Sequence, residues 1–230
     1  MTTPTQPIIA LDVSTLAEAR AIVARLGNRA TFYKVGLQLF ASAGPPAVEW
    51  LHAEGKRVFL DLKLHDIPNT VARAAESAAR LGVSLLTVHA LGGEAMVRAA
   101  VDVAAERTGI LAVTLLTSMD LEAVGTAFGR PVRSFEEEVV RLARVARSAG
   151  AHGVVCAGTE CAAVRALGAP PLAVLVPGIR FAGGAAHDQS RVVTPADAAR
   201  AGATYIVLGR AVTAADDPAE ALQRAAAELA

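Results

Sequence analysis

Gly55–His89 reads GKRVFLDLKLHDIPNTVARAAESAARLGVSLLTVH. A glycine is followed by a short apolar strand-like run. A polar loop, an alanine-rich helical stretch, a second glycine and a second apolar run come next. Glycine after a helix supplies the left-handed residue of a C-terminal cap, and apolar, β-branched runs signal strands buried on both faces. The same unit recurs on either side. Gly27, Gly55, Gly82 and Gly109 stand 28, 27 and 27 residues apart, and Gly150, Gly168 and Gly202 continue the series less evenly. Eight strands are predicted: Ile8–Asp12, Thr31–Gly36, Arg57–Lys63, Ser84–His89, Ile110–Leu116, Gly153–Ala157, Ala173–Val176 and Tyr205–Leu208. Thr15 with Glu18 and Ser134 with Glu137 fit capping boxes. Thr194-Pro195 and Asp217-Pro218 place a cap before a first-turn proline. Leu16, Ala19, Val23 and Leu26 form a helical apolar stripe. Eight strand–helix units without a linker between blocks predict an α/β chain forming one closed (β/α)8 TIM barrel over residues 1–230, with 1–7 a short tail. An open doubly wound sheet is the competing architecture.

Composition narrows the function. Lys and Arg total 22 against 22 Asp and Glu, so the formal charge is zero, which argues against a nucleic-acid footprint. No apolar run approaches the ~20 residues of a membrane span, and the first residues lack the pattern of a secretory signal. A soluble cytoplasmic protein is expected. Cys156 and Cys161 read as two reduced thiols. No carboxylate or histidine group has the spacing of a metal site. Only three cations are lysine, at 34, 56 and 63, against 19 arginines. A lysine retained against that bias points to a place where a proton must be given up, because guanidinium holds its proton too tightly.

Polar residues fall at one end of the predicted strands, where barrel enzymes carry their chemistry. Asp12 ends the first strand, Lys34 lies in the second, Asp61 and Lys63 end the third, and His89 ends the fourth. Thr117 follows the fifth. Pro177-Gly178-Ile179-Arg180 follows the seventh and Gly209-Arg210 the eighth. Residues two apart on a strand share a face, so Asp61 and Lys63 project together while Leu62 and Leu64 face away. Asp66 falls in the next loop. Such a charge set is costly unless mutually paired, and with Asp12 and Lys34 nearby it reads as a functional network. Gly209-Arg210 and the glycine-hinged loop carrying Arg180, Gly183, Gly184 and Gln189 read as a phosphate site. His52, His152 and His187 read as surface or packing residues. His65 and His89 are expected to hold loops near the mouth by hydrogen bonds. Ser118–Pro131 is expected to cover part of the mouth.

Asp61–Thr70, DLKLHDIPNT, resembles the signature of the orotidine 5′-phosphate decarboxylase family, bacterial type, among the ribulose-phosphate-binding barrels. ALDVS (Asp12), YKVG (Lys34), LLTS (Thr117), PGIR (Arg180), HDQ (Gln189) and LGR (Arg210) extend the match in order along the chain. The resemblance implies a carboxy-lyase that converts orotidine 5′-monophosphate to uridine 5′-monophosphate without a cofactor, as the last step of pyrimidine nucleotide synthesis. It implies a homodimer in which Asp66 and Thr70 enter the neighbouring subunit's site. It assigns proton donation to Lys63 within a network of Lys34, Asp61 and Asp66. It gives ribose contacts to Asp12 and Lys34, phosphate contacts to Gln189, Gly209 and Arg210, and further substrate contacts to Thr117 and Arg180. The shorter Asp-x-Lys-x-x-Asp core is shared with metal-dependent lyases of 3-keto-gulonate phosphate or hexulose phosphate, which are the enzymatic alternative. A barrel that binds nucleotides without catalysis is the non-enzymatic one.

Overall fold

In a computed structural model, residues 4–104, 107–183 and 191–229 are described. The chain alternates strands β1 (Gln6–Leu11), β2 (Phe32–Gly36), β3 (Arg57–Leu64), β4 (Leu85–His89), β5 (Gly109–Val113), β6 (Gly153–Val155), β7 (Ala173–Val176) and β8 (Tyr205–Leu208) with helices. Those helices are α1 (Leu16–Leu26), α2 (Leu37–Ala43), α3 (Pro46–Ala53), α4 (Pro68–Arg80), α5 (Gly93–Ala104), α6 (Leu121–Phe128), α7 (Phe135–Ser148), α8 (Cys161–Arg165), α9 (Pro195–Arg200), α10 (Arg210–Thr213) and α11 (Pro218–Glu228). All strand pairs are parallel, and β1 pairs with both β2 and β8, which closes the barrel and excludes the open sheet.

The helix signals mostly act as read. Thr15 accepts from the Glu18 backbone N–H at 3.2 Å while the Glu18 carboxylate accepts from Thr15 N–H at 3.0 Å. Ser134, Thr194 and Asp217 cap α7, α9 and α11. Ser134 caps through its hydroxyl alone, without the return bond expected of Glu137. Gly109 departs from the glycine pattern. It opens β5 opposite Leu85 rather than closing a helix. Its missing side chain serves close packing, because a Cβ there would stand 2.9 Å from Leu85 Cδ2 and 3.0 Å from the His152 ring.

Strand ends are where expectation and structure differ most. Gln6 and Pro7, read as tail, pair with Tyr205 and Ile206, so β1 starts earlier and ends before Asp12. β5 stops at Val113 and β6 at Val155, short of the apolar runs that continue past them. Those extra apolar residues, Leu115, Cys156 and Ala157 among them, are buried in loops over the barrel rather than in the ladder.

Side chains alternate across the sheet. Ile9, Leu11, Tyr33, Val35, Val58, Leu60, Leu86 and Val88 face the helices in one large cluster, which also takes the α1 positions Ala19, Val23 and Leu26. Ile8, Ala10, Phe32, Phe59, Leu85, Leu111, Val113, Val155, Leu175 and Val207 fill the barrel interior. Continuing the interior series by two residues toward the C-terminal strand ends replaces apolar groups by polar ones: Phe32 by Lys34, Phe59 by Asp61 and Leu85 by Thr87. The alternation of the pleat therefore sets an apolar floor beneath a charged layer.

Candidate active site

The charged layer is an ion-pair chain crossing three strand ends. Lys34 Nζ lies 2.6 Å from Asp12 Oδ1 and 3.7 Å from Asp61 Oδ2. Lys63 Nζ donates to both Asp61 oxygens at 2.8 Å. Lys34 and Asp61 are buried, whereas the Lys63 side chain keeps 32% of its exposure. Burial alone would push the Asp61 carboxyl up. The Lys34 and Lys63 charges, with hydrogen bonds from Lys63 and Thr87, outweigh it and hold Asp61 below the usual carboxylate range. Gly36 keeps this crossing open, since a Cβ there would stand 2.8 Å from Asp12 Oδ1 and 2.9 Å from Lys34 Nζ.

Lys63 reaches Asp61 by an unexpected route. The pairing of β3 with β4 is regular at Leu60 opposite Leu86, then resumes only at Leu64 opposite Val88. Three β3 residues thus face Thr87 alone, a bulge that re-aims the strand. Within it Lys63 has φ +49°, the one non-glycine residue with positive φ among the described residues. That conformation is strained for a side chain with a Cβ, and such strain concentrates at functional positions. Thr87 holds the bulge together. Its hydroxyl donates to Asp61 Oδ1 at 2.8 Å and accepts from the Lys63 backbone N–H at 2.9 Å. Leu62 and Leu64 pack toward the helix-facing cluster, as strand alternation predicts.

Above this layer opens a cavity of about 600 Å³, within the range typical of small-ligand sites. Asp12, Lys34, Asp61 and Lys63 line one side, and Thr117, Arg180, Gly209 and Arg210 line the other. Burial, and then the Arg210 charge, lower the Arg180 pKa. Both guanidinium groups line the cavity and make this side of it cationic. Gln189 and Gly184 lie outside the described residues, as does His187. Asp66 and Thr70 do not line the cavity. Asp66 is exposed and accepts from Ile67 N–H at 2.6 Å, so within one chain the network runs Asp12–Lys34–Asp61–Lys63 and omits Asp66.

A match to the family model described as Orotidine 5′-phosphate decarboxylase / HUMPS family spans residues 5–225. The chain belongs to this family. Relatives of the same name include the orotidine 5′-phosphate decarboxylase of Anaeromyxobacter dehalogenans, 54% identical over 96% of both chains. That of Moorella thermoacetica is 48% identical over 96% of this chain and 91% of the relative. Among solved structures, orotidine 5′-phosphate decarboxylase from Lactobacillus acidophilus superposes with a TM-score of 0.84 at 33% identity, covering 99% of each chain.

Some residues of this family member carry roles that differ from expectation. The His65 and His89 rings stand 5.5 Å apart beside the network, but His89 Nδ1 is buried without a hydrogen-bond partner, so His89 packs rather than ties a loop. Burial, with the His65 and Lys63 charges, lowers the His89 pKa and favours the neutral ring. Burial pushes the Cys161 thiol up to about 11 and raises the Cys156 thiol well above its ordinary value, as for inert thiols. Thr87 was not anticipated. Its signal was its place in the interior series two residues after Leu85. Among the described residues no group of three or more His, Cys, Asp or Glu has metal-holding geometry, and no helix is long and apolar enough to cross a membrane.

Proposed function

We infer that the protein is a carboxy-lyase that decarboxylates orotidine 5′-monophosphate to uridine 5′-monophosphate, completing pyrimidine nucleotide synthesis in the cytoplasm. The observation that carries this reading is the Lys63 ammonium. It is chelated by Asp61 on strained backbone at the cavity wall, in a cavity that Arg180 and Arg210 also line. Family membership supports the same assignment.

Loss of carbon dioxide breaks the bond between C6 and the carboxylate and leaves the electron pair on C6, in the ring plane. The ring π-system does little for that pair, so stabilisation must come from fixed charge in a water-poor site. Lys63 supplies that charge beside C6, then transfers its Nζ proton to C6, giving the product and a neutral amine that solvent re-protonates. Lys34 and Asp61 hold the ammonium in place, so no reorganisation is needed as charge develops. Asp12 and Lys34 meet the ribose, while Thr117 and Arg180 contact the substrate. Gln189, Gly209 and Arg210 grip the phosphate. Binding energy from that remote group assembles the site around the reacting carbon.

The site is completed by a second copy. Asp66 and Thr70 sit outside the cavity of their own chain and reach the neighbouring subunit's site. Leu37, Ile67 and Leu91 support that contact. They are 56%, 66% and 41% exposed at the ends of three adjacent strands, β2, β3 and β4.

Following the ultraviolet absorbance of orotidine 5′-monophosphate with purified protein in EDTA tests the reading. Turnover unaffected by chelation is expected. Activity that EDTA abolishes and a divalent metal restores would point instead to a phosphosugar lyase. Lys63→Ala should lose at least about two to three powers of ten in rate, the scale of removing a preorganised charge donor, with an unchanged circular dichroism spectrum. Near-normal turnover would remove Lys63 from the chemistry.

A further inference from the structure

One buried ion pair lies outside the catalytic network. Glu160 ends the single helical turn Gly158–Glu160 after β6, and Arg191 begins the approach to α9. Their side chains are 4% and 10% exposed, and Arg191 Nη1 lies 2.9 Å from Glu160 Oε1. The contact is one of charge, since neither Nη1 nor the buried Nε makes an aligned hydrogen bond among the described residues. Four further contacts orient the pair, the first being the Thr159 hydroxyl, which donates to Glu160 Oε1 at 2.5 Å. Arg191 Nη2 donates to the Leu116 carbonyl at 3.2 Å, and its guanidinium carbon stands 3.8 Å from the centre of the Phe135 ring. Glu160 Oε2 accepts from Ala157 N–H at 3.1 Å.

Two residues on, Val193 bridges Ile179, and its carbonyl accepts from Arg180 N–H at 3.0 Å. The Cβ of Val193 lies 3.0 Å from where a Cβ of Gly158 would be, so this segment is seated directly on the β6 loop. Arg191 therefore joins the loop after β5, the loop after β6 and the segment paired with the β7 end. The loop after β5 presents the cavity residues Leu116 and Thr117, and the β7 loop to which the Arg191 segment is paired presents Arg180.

We propose that Arg191, held by Glu160, is a positioning residue for the phosphate side of the cavity: it seats the β7 loop that carries Arg180 against the Leu116 backbone, so that Arg180 meets the ligand's phosphate together with Arg210. This rests on the proposed function only for the identity of that ligand. A buried ion pair is a poor source of stability, because apolar side chains of similar size often replace one at no cost. Its use here is geometric, as a charged fork and an aromatic face fix one orientation.

The test compares Glu160→Gln, Arg191→Lys and the double variant Glu160→Gln/Arg191→Met with the parent chain. Affinities for uridine 5′-monophosphate and for uridine are measured by calorimetry, turnover of orotidine 5′-monophosphate by absorbance, and Tm by thermal unfolding. The double variant removes both charges together, so it avoids an unpaired buried ion and is the variant on which the conclusion rests. It should keep the parent's Tm within a few degrees and bind the nucleotide about ten- to a hundredfold more weakly, the scale of a misplacement of ~1 Å. Its affinity for uridine should stay within about twofold. Arg191→Lys, which keeps charge but loses the fork, should fall between.

Equal losses for nucleotide and nucleoside, or unchanged nucleotide affinity, would overturn the proposal. A parent chain that binds uridine 5′-monophosphate but leaves orotidine 5′-monophosphate intact would defeat the proposed function while leaving the Arg191 result to stand or fall by itself.

Discussion

Thr87 carries no charge, yet its hydroxyl touches both halves of the Asp61–Lys63 pair, donating to the carboxylate and accepting from the lysine backbone. Thr87→Val keeps the shape and removes both bonds. A backbone N–H inside the bulge is then left without its acceptor, which costs about 2 kcal/mol, and the strained Lys63 conformation loses its brace. Slower decarboxylation and a lower Tm are expected together. The pH dependence adds a signature. Asp61 is held below the ~3.9 of a free aspartate, so its ionisation favours the folded state above that pH. This contribution is lost as pH falls through the folded value. Without the Thr87 hydrogen bond the folded value rises toward the free one, and the acid limb of a Tm-against-pH curve should move to higher pH. An acid limb superimposable on that of the parent chain would show that Thr87 does not help hold Asp61 ionised. Asp12, Lys34, Asp61 and Lys63 were legible in sequence because each ends or nearly ends an apolar run. The route by which Lys63 reaches Asp61 was not, since a lysine gives no local sign of left-handed backbone and a bulge depends on the facing strand.

At the scale of elements, glycine spacing and apolar runs made the eight strands readable, yet their ends were not. The run Ile110–Leu116 continues past Val113 into Thr114 and Leu115, which are buried outside the strand, and hydrophobicity alone cannot separate strand from covered loop. Gly153 shows what the ladder itself requires. A Cβ there would fall against the backbone of Ala173, 2.8 Å from its carbonyl carbon, in the paired strand β7. Backbone in a closed barrel cannot withdraw as a flexible side chain can. Gly153→Ala should cost at least about 2 kcal/mol, a fall in Tm of roughly 4–8 °C for a chain of this size. Gly153 stands at the start of β6, away from the strand ends that carry the charges, so kcat of the folded variant should stay within about twofold of the parent's. Unchanged Tm would mean that β6 and β7 are free to separate at that point.

The whole molecule raises a question that one chain leaves open, because its own cavity lacks Asp66 and Thr70. If those residues serve the neighbouring site, each site of a two-fold dimer combines Lys63 from one subunit with Asp66 from the other. Lys63→Ala and Asp66→Ala homodimers would then each have two damaged sites. A mixed dimer distributes the lesions unequally. One site receives both, and the other receives an intact Lys63 from the Asp66→Ala subunit and an intact Asp66 from the Lys63→Ala subunit. Random reassortment after co-expression makes half the dimers mixed, each with one intact site, so activity should recover to about one quarter of the parent's. Sites built from a single chain could not recover at all, because each would keep the lesion of its own chain. The assay therefore separates a shared site from two independent ones without a structure of the dimer. Substituting the exposed Ile67 by Asp adds the physical link, since a charge within an apolar contact between subunits would be desolvated on association. Sedimentation should show that Ile67→Asp shifts the protein toward monomer while its decarboxylation falls in parallel, and a monomer of undiminished activity would defeat the shared-site account.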